Sequence, residues 1–157
     1  MEKLQIDYPE YNALINRLID RLRDSGFQFD WVIGVSRGGL PVADAISRTL
    51  KLPMAVVAAS SYQGQSGTNQ SELKISASVA SVGEVSGRCL LVDDLVDSGK
   101  TLEALTAHLK QQLPTIDALH TAVLWVKPIS VFQPDFAAEH MESDLWIVQP
   151  FERRDWQ

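Results

Sequence analysis

Apolar segments with the length of β-strands alternate with amphipathic, helix-like segments along this chain, and that alternation most constrains its fold. The helix-like segments have apolar residues at helical spacing and separate successive strand-like ones. Parallel strands need long crossover connections, which helices usually supply. The pattern therefore predicts an α/β domain, with a mostly parallel twisted sheet flanked by helices. The predicted strands are 31–35, 54–59, 73–79, 89–92, 119–126 and 144–148.

The first helix is the clearest helical segment. Its apolar positions recur every three or four residues, and Asp7 with Glu10 has the spacing of a capping box before it. Gly26 is placed to end the helix. The apolar residues expected to face the core are Tyr11, Leu14, Ile15, Leu18, Ile19 and Leu22.

A length of 157 residues fits one domain, over residues 1–157. Hydrophobic residues make up 45% of the chain and charged residues 22%, and both values are ordinary for a globular protein. A single cysteine, Cys89, excludes an internal disulfide framework and favours a cytoplasmic location. No apolar run approaches the roughly 20 residues that span a bilayer, so no stable membrane insertion is expected. Residues 1–7 lack the apolar run of a signal peptide.

The net charge of −6 argues against nucleic acid as a partner, because duplex-binding domains usually carry a basic face. The lysines and arginines form no cluster in the sequence. An anionic substrate would therefore have to be held locally, by a few cations, backbone N–H groups and a metal ion.

Three of the predicted strands end in polar or glycine-rich residues. These ends are 36–39, 93–101 and Lys127. In open α/β sheets, ligands bind beyond the carboxyl ends of the strands. The three segments are therefore expected to converge on one site.

The segment 90–101 carries the most specific chemistry. An apolar strand leads to Asp93 and Asp94, and a short loop then opens a helix at Ser98-Gly99-Lys100-Thr101. Free N–H groups and the helix dipole make such a turn an anion site, while the neighbouring carboxylates suit sugar hydroxyls and Mg²⁺. A Walker A motif fails, because Asp94 stands where its first glycine belongs. A dinucleotide fingerprint fails at Ser36 for the same reason.

The strand–Asp-Asp–x-x–Asp-Ser-Gly-x-Thr pattern resembles the phosphoribosyl pyrophosphate (PRPP) motif of type I phosphoribosyltransferases. Further segments resemble one branch of that family, bacterial xanthine–guanine phosphoribosyltransferase. The resemblance spans most of the chain in order. The segments are Val35-Ser36-Arg37-Gly38-Gly39-Leu40, Ser60-Ser61-Tyr62 with Glu72-Leu73-Lys74, and Trp146-Ile147-Val148-Gln149-Pro150-Phe151-Glu152.

The resemblance implies a type I phosphoribosyltransferase fold with a small hood over about 127–157 and a flexible loop over about 61–74. That loop, with Ser61, Tyr62 and Lys74, would close over the site. The ribose and 5′-phosphate of PRPP would be bound by Asp93, Asp94, Asp97, Ser98, Gly99, Lys100 and Thr101. Pyrophosphate would be bound by Ser36, Arg37 and Gly38.

For the base, the resemblance implies that Lys127 donates to a purine 6-oxo group, that Trp146 stacks on the ring and that the Ile147 backbone accepts from an exocyclic group. Asp97 would face N7 and be the catalytic residue. Mg²⁺ would lie near Asp93 and Asp94, partly through sugar or water. A second ion at Glu152 is the weaker expectation.

From the residues alone, alternatives stay open. Asp93 and Asp94 could simply be polar loop residues that cap a helix. Trp146, which precedes two apolar residues, could belong to the core. The tail departs from the branch at Val148, Phe151 and Glu152, which leaves guanine, xanthine and hypoxanthine equally open.

The implied activity is transfer of phosphoribose from PRPP to a 6-oxopurine by a homodimer or homotetramer. A phosphoribosyltransferase for another base and a PRPP-sensing regulator are the alternatives.

Overall fold

The computed structural model describes residues 2–63 and 71–156, without the side chains of 61–63, 71, 72 and 156. Its helices are α1 (Tyr8–Asp24), α2 (Leu40–Leu50) and α3 (Lys100–Gln112), with a 3₁₀ helix at Pro150–Trp156. Its strands are β1 (Lys3–Gln5), β2 (Trp31–Ser36), β3 (Met54–Gln63), β4 (Ser71–Ile75), β5 (Gly87–Val92), β6 (Leu95–Val96), β7 (Ile116–Val126), β8 (Phe136–His140) and β9 (Trp146–Val148).

The main sheet has the order β4-β3-β2-β5-β7-β6, and β8 also pairs with β7. Its pairs are parallel except for the antiparallel β3–β4 pair. A separate two-stranded parallel sheet joins β1 to β9. The predicted α/β class and mostly parallel sheet are confirmed.

Each face of the main sheet carries its own apolar core. Helices α1 and α2 cover one face, where Leu18 and Ile46 are fully buried. Helix α3 covers the other face through Leu105 and Leu109. Burying each such side chain contributes about 1.5–3 kcal/mol, so the two cores hold the strand ends in a fixed arrangement.

Helix α1 forms as its sequence pattern predicts. Asp7 Oδ1 accepts from the Glu10 N–H at 2.8 Å, and Glu10 Oε2 accepts from the Asp7 N–H at 3.0 Å. The six predicted core residues are all buried. The helix ends before Gly26, whose φ of +75° suits glycine.

The structure differs from the sequence-based expectation in the stretch 61–74. Backbone pairing joins Ser61 to Leu73 and Gln63 to Ser71, so both ends of the expected loop are strand. Residues 64–70, at its centre, lie outside the described residues. Closure of this segment over the site stays a prediction.

The expected hood over 127–157 is also divided differently. Strand β8 lies within that range but belongs to the main sheet. The small sheet instead recruits β1 from the start of the chain. Among the described residues, none of the helices has the length and apolar character needed to cross a bilayer.

Candidate active site

Residues 93–99, here called the acidic loop, leave the carboxyl end of β5 and lead through β6 into α3. The Asp94 N–H donates to Asp93 Oδ1 at 2.9 Å, and the Leu95 N–H donates to Asp94 Oδ1 at 2.7 Å. The loop lines a cavity of about 240 Å³ that extends to Thr101 and Leu102 in the first turn of α3. The lining of this cavity therefore combines two carboxylates, Asp93 and Asp97, with the N-terminus of a helix.

Gly99 lets the acidic loop turn into α3. Its φ is +91°, and a Cβ there would lie 2.5 Å from Phe132 Cβ and 2.8 Å from the Phe132 nitrogen. The neighbouring Ser98 carbonyl accepts from the Val131 N–H at 3.0 Å. The segment after β7 therefore packs directly against the turn, and only glycine fits between them.

Residues 36–39, here called the Arg37 loop, follow β2 and pack against the acidic loop. A Cβ on Gly39 would lie 2.5 Å from the Val92 carbonyl oxygen, and one on Gly38 would lie 2.3 Å from Asp94 Oδ2. The two strand ends meet because both glycines lack side chains. Arg37 lines a cavity of about 480 Å³ with Ser36 and Lys74, and another of about 440 Å³ with Asp94.

Lys127 brings the third strand end to the site. Its side chain is only 8% exposed, and Nζ lies 3.1 Å from Asp144 Oδ1 and 3.8 Å from Asp97 Oδ1. The Trp146 ring centroid is 6.0 Å from Lys127 Nζ. Cation, carboxylates and aromatic ring therefore form one cluster, here called the Lys127 cluster.

The tail, residues 146–156, also packs against the acidic loop. Gln149 is buried, and its Nε2 donates to Asp94 Oδ2 at 2.6 Å. The Gln149 N–H donates to Glu152 Oε2 at 2.8 Å. Glu152 lines the 440 Å³ cavity with Arg37 and Asp94.

Two carboxylates of this region, Asp93 and Glu152, are destabilised in their charged form. Burial, and then the charge of Asp94, raises the pKa of Asp93 well above its usual value. Burial also raises the pKa of Glu152, with Asp94 and Asp155 contributing, although the Gln149 N–H opposes the shift. A cation, or a hydrogen-bond donor on the substrate, would stabilise the charged form of these two carboxylates.

The structure brings together most of the predicted site residues. The acidic loop, the Arg37 loop and the Lys127 cluster meet at the carboxyl ends of β2, β5 and β7. Trp146 is 48% exposed, so the core alternative for its side chain is wrong. Ile147 has its side chain in the core, which leaves its backbone for the predicted role. The side chains of Ser61 and Tyr62 lie outside the described residues.

Two residues of the site were not predicted. Asp144 forms the shorter ion pair of Lys127, and Gln149 binds Asp94 across the molecule. Gln149 lies within the segment 146–152 that carries the family resemblance, but its residue type alone does not indicate a role. Nothing in the sequence marks Asp144 beyond its place at the start of the predicted strand 144–148, because its partner Lys127 lies in a different segment.

The site can be compared with known proteins. The family model of the phosphoribosyl transferase domain matches residues 6–156. The chain belongs to this family.

Curated relatives give the same family. Xanthine-guanine phosphoribosyltransferase of Cereibacter sphaeroides is 32% identical over 122 residues, which are 77% of this chain and 68% of that protein. The protein of the same name from Nitratidesulfovibrio vulgaris is 32% identical over 133 residues, covering 84% and 74%.

Solved structures confirm the type I phosphoribosyltransferase fold. The purine phosphoribosyltransferase of Pyrococcus horikoshii is 29% identical, with a TM-score of 0.78 over 96% of this chain and 95% of its own. The Helicobacter pylori xanthine-guanine-hypoxanthine phosphoribosyltransferase has a TM-score of 0.81 at 23% identity, covering 99% and 97%, which supports the fold alone.

Proposed function

We propose that this phosphoribosyltransferase moves the 5-phosphoribosyl group of PRPP to N9 of guanine, xanthine or hypoxanthine, releasing pyrophosphate. The observation that carries the proposal is the position of the acidic loop. This loop meets the Arg37 loop at Asp94 and the Lys127 cluster at Asp97, so a sugar phosphate bound there would have the leaving group near one contact and the base near the other. Family membership supports the same assignment.

The proposed PRPP site uses both ends of the acidic loop. Ser98 to Thr101 offer hydroxyls and the N–H groups of the first turn of α3 to the 5′-phosphate. Asp93 and Asp94 accept from the ribose hydroxyls. Ser36, Arg37 and Gly38 bind the pyrophosphate, with Arg37 as a local positive charge in a chain of net charge −6.

The residues present fit Mg²⁺ bound together with PRPP. Among the residues that the structure describes, no group of three or more His, Cys, Asp or Glu side chains could hold a metal ion by itself. Mg²⁺ commonly uses one or two carboxylates, completing its shell with water and substrate phosphates. Asp93 and Asp94 would supply that share, with Glu152 as the place for a second ion. The ion would neutralise charge on the leaving group.

The proposed base site is the Lys127 cluster. Lys127 donates to the 6-oxo group and Trp146 stacks on the ring, which contributes about 1–3 kcal/mol in comparable contacts. The Ile147 backbone accepts from an exocyclic group. Asp97 faces N7, where it can hold or accept a proton.

Transfer breaks the bond between C1′ and the pyrophosphate oxygen and forms the bond from C1′ to N9. Positive charge develops on the sugar and negative charge on the leaving group. Arg37 and the N–H groups of its loop are placed before the reaction starts, so they stabilise that negative charge without reorganising. Closure of the segment 61–74 would exclude water, which could otherwise capture the activated sugar.

The deciding experiment measures pyrophosphate release with PRPP, Mg²⁺ and each purine in turn. Release with 6-oxopurines and not with adenine or a pyrimidine is the expected result. Activity only with another base would replace the substrate. Tight, salt-dependent RNA or DNA binding without pyrophosphate release would instead favour the regulator.

The proposed setting is the cytoplasm, in keeping with the single cysteine, Cys89, which is buried and free. The proposed assembly is a homodimer or homotetramer. Light scattering during gel filtration would give the mass of the assembly.

A further inference from the structure

The side chain of Gln149 joins the tail to the acidic loop from a buried position. It is 2% exposed, and its Nε2 donates to Asp94 Oδ2 at 2.6 Å. Its backbone is fixed at both ends, because its N–H donates to Glu152 Oε2 and its carbonyl accepts from the Glu152 N–H. The Gln149 backbone is thus held in place by Glu152 of the 3₁₀ helix that follows it.

Three separate segments determine where the Asp94 carboxylate lies. The Leu95 N–H fixes Oδ1 at 2.7 Å from within the acidic loop. Gly38 of the Arg37 loop packs against the same carboxylate, since a Cβ added to Gly38 would lie 2.3 Å from Asp94 Oδ2. Gln149 supplies the remaining contact, and it is the one made by a long side chain reaching across the molecule.

Packing alone does not explain a glutamine at this position. Gln149 Oε1 and the Tyr11 hydroxyl are buried, and neither has a hydrogen-bond partner among the described residues. Tyr11 lies close to Asp94, whose charge adds to burial in raising the pKa of the phenol. A buried acceptor left without a partner carries a desolvation cost that a methionine of similar size would avoid. The amide is therefore useful for its donor, which contacts Asp94.

We propose that Gln149 is a positioning residue for PRPP, holding the Asp94 carboxylate where it meets the ribose hydroxyls. This inference rests on the proposed function, in which Asp94 binds the sugar. Gln149 directly follows β9, which carries Trp146 and Ile147. One hydrogen bond therefore ties the segment of the proposed base site to the loop of the proposed sugar site.

The test compares Gln149→Met, which removes the donor, with Gln149→Glu, which places an acceptor against Asp94. The matched control is Gln112→Met at the exposed end of α3. Calorimetry with PRPP and Mg²⁺ is expected to show the Kd for PRPP raised about tenfold in Gln149→Met, the loss expected for a hydrogen bond to a charged group. Gln149→Glu is expected to lose more, and the control to stay within about twofold of wild type.

A purely structural glutamine would behave differently. Its loss would lower the melting temperature but leave the Kd for PRPP unchanged in the protein that remains folded. A folded Gln149→Met with wild-type PRPP affinity overturns the inference. If Gln149→Met does not fold, Gln149→Glu decides in the same way. A wild-type protein that binds no PRPP contradicts the proposed function itself, so the two failures are distinguishable.

Discussion

The ammonium group of Lys127 is buried next to two carboxylates that lie at different distances from it. A buried cation needs anionic neighbours, because desolvation otherwise costs several kcal/mol. Asp144 makes the shorter contact, at 3.1 Å against 3.8 Å for Asp97. Asp144 can therefore hold Lys127 in place while Asp97 remains available to a substrate.

Asp97→Asn is the first prediction at this scale. The amide keeps the size of the side chain and its capacity to accept a hydrogen bond but removes the base. Turnover is expected to fall by about 100-fold or more, as is usual for loss of a general acid or base. The Kd for PRPP should change by less than about threefold, since Asp93, Asp94 and the turn at Ser98 remain. Parallel loss of turnover and PRPP affinity would contradict the catalytic role.

Lys127→Ala should separate base binding from sugar binding. The variant removes the proposed donor to the 6-oxo group and leaves two carboxylates without their cation, so base affinity should fall by about 10- to 100-fold. PRPP affinity should stay near wild type. Lys110→Ala, exposed on α3, removes the same charge elsewhere. Calorimetric titration with base and with PRPP checks both, and unchanged base affinity would remove Lys127 from the purine site.

At the element level, the sequence could predict strands that contain a clear apolar run, whereas several short or partly polar strands could not be predicted from it. Strand β5 has an unbroken apolar run, and β2 is buried along five of its six residues, so both were evident. Strands β1, β6 and β8 were missed. They have three, two and five residues, and β8 includes Glu139 and His140. Their pairing comes from contacts with β9 and β7 that local sequence does not encode.

The turn between the acidic loop and α3 gives a prediction that separates backbone strain from contact. Gly99 and Gly83 have nearly the same φ, +91° and +94°, but only Gly99 has atoms where a Cβ would lie. Alanine at either position should cost about 1–2 kcal/mol of stability for the left-handed backbone. Only Gly99→Ala should also push the loop away from Phe132 and raise the Kd for PRPP, by about tenfold.

Chemical denaturation and PRPP titration of both alanine variants measure the two effects. Equal PRPP affinity in Gly99→Ala and Gly83→Ala would show that the close packing of Phe132 on Gly99 does not shape the phosphate site.

At the scale of the whole molecule, a buried thiol links folding to alkaline pH. Burial, with smaller contributions from Asp30 and Asp117, raises the pKa of Cys89 from 9.0 to about 11. The unfolded chain therefore loses this proton at lower pH than the folded protein does. The stabilisation is complete below about pH 9 and is lost as pH rises through about 11. Urea unfolding between pH 7 and 11 should show a smaller decline in Cys89→Ala than in wild type, and equal slopes would contradict this account.

The sequence could predict the convergence of the three strand ends, because parallel topology alone brings carboxyl ends to one edge. It could not predict how the tail returns to that edge. Gln149 and Asp94 are 55 positions apart, and Asp144 reaches Lys127 through β9 and its pairing with β1. Such contacts depend on where the second sheet packs, which no local pattern in either segment specifies.

Ligand binding should stabilise the entire fold, and the composition of the site predicts in which order its ligands bind. The described residues provide no group of three or more metal-binding side chains, so Mg²⁺ alone should raise the melting temperature little. PRPP with Mg²⁺ should raise it clearly, by an amount that grows with the logarithm of PRPP concentration above its Kd. Removing the metal with EDTA should cancel most of that gain, because the charge of the pyrophosphate near Asp94 and Glu152 is then no longer balanced by a divalent ion. Differential scanning fluorimetry over a PRPP series, with and without Mg²⁺, makes the comparison. A saturable rise with Mg²⁺ alone would mean that the acidic loop holds the metal before the sugar arrives.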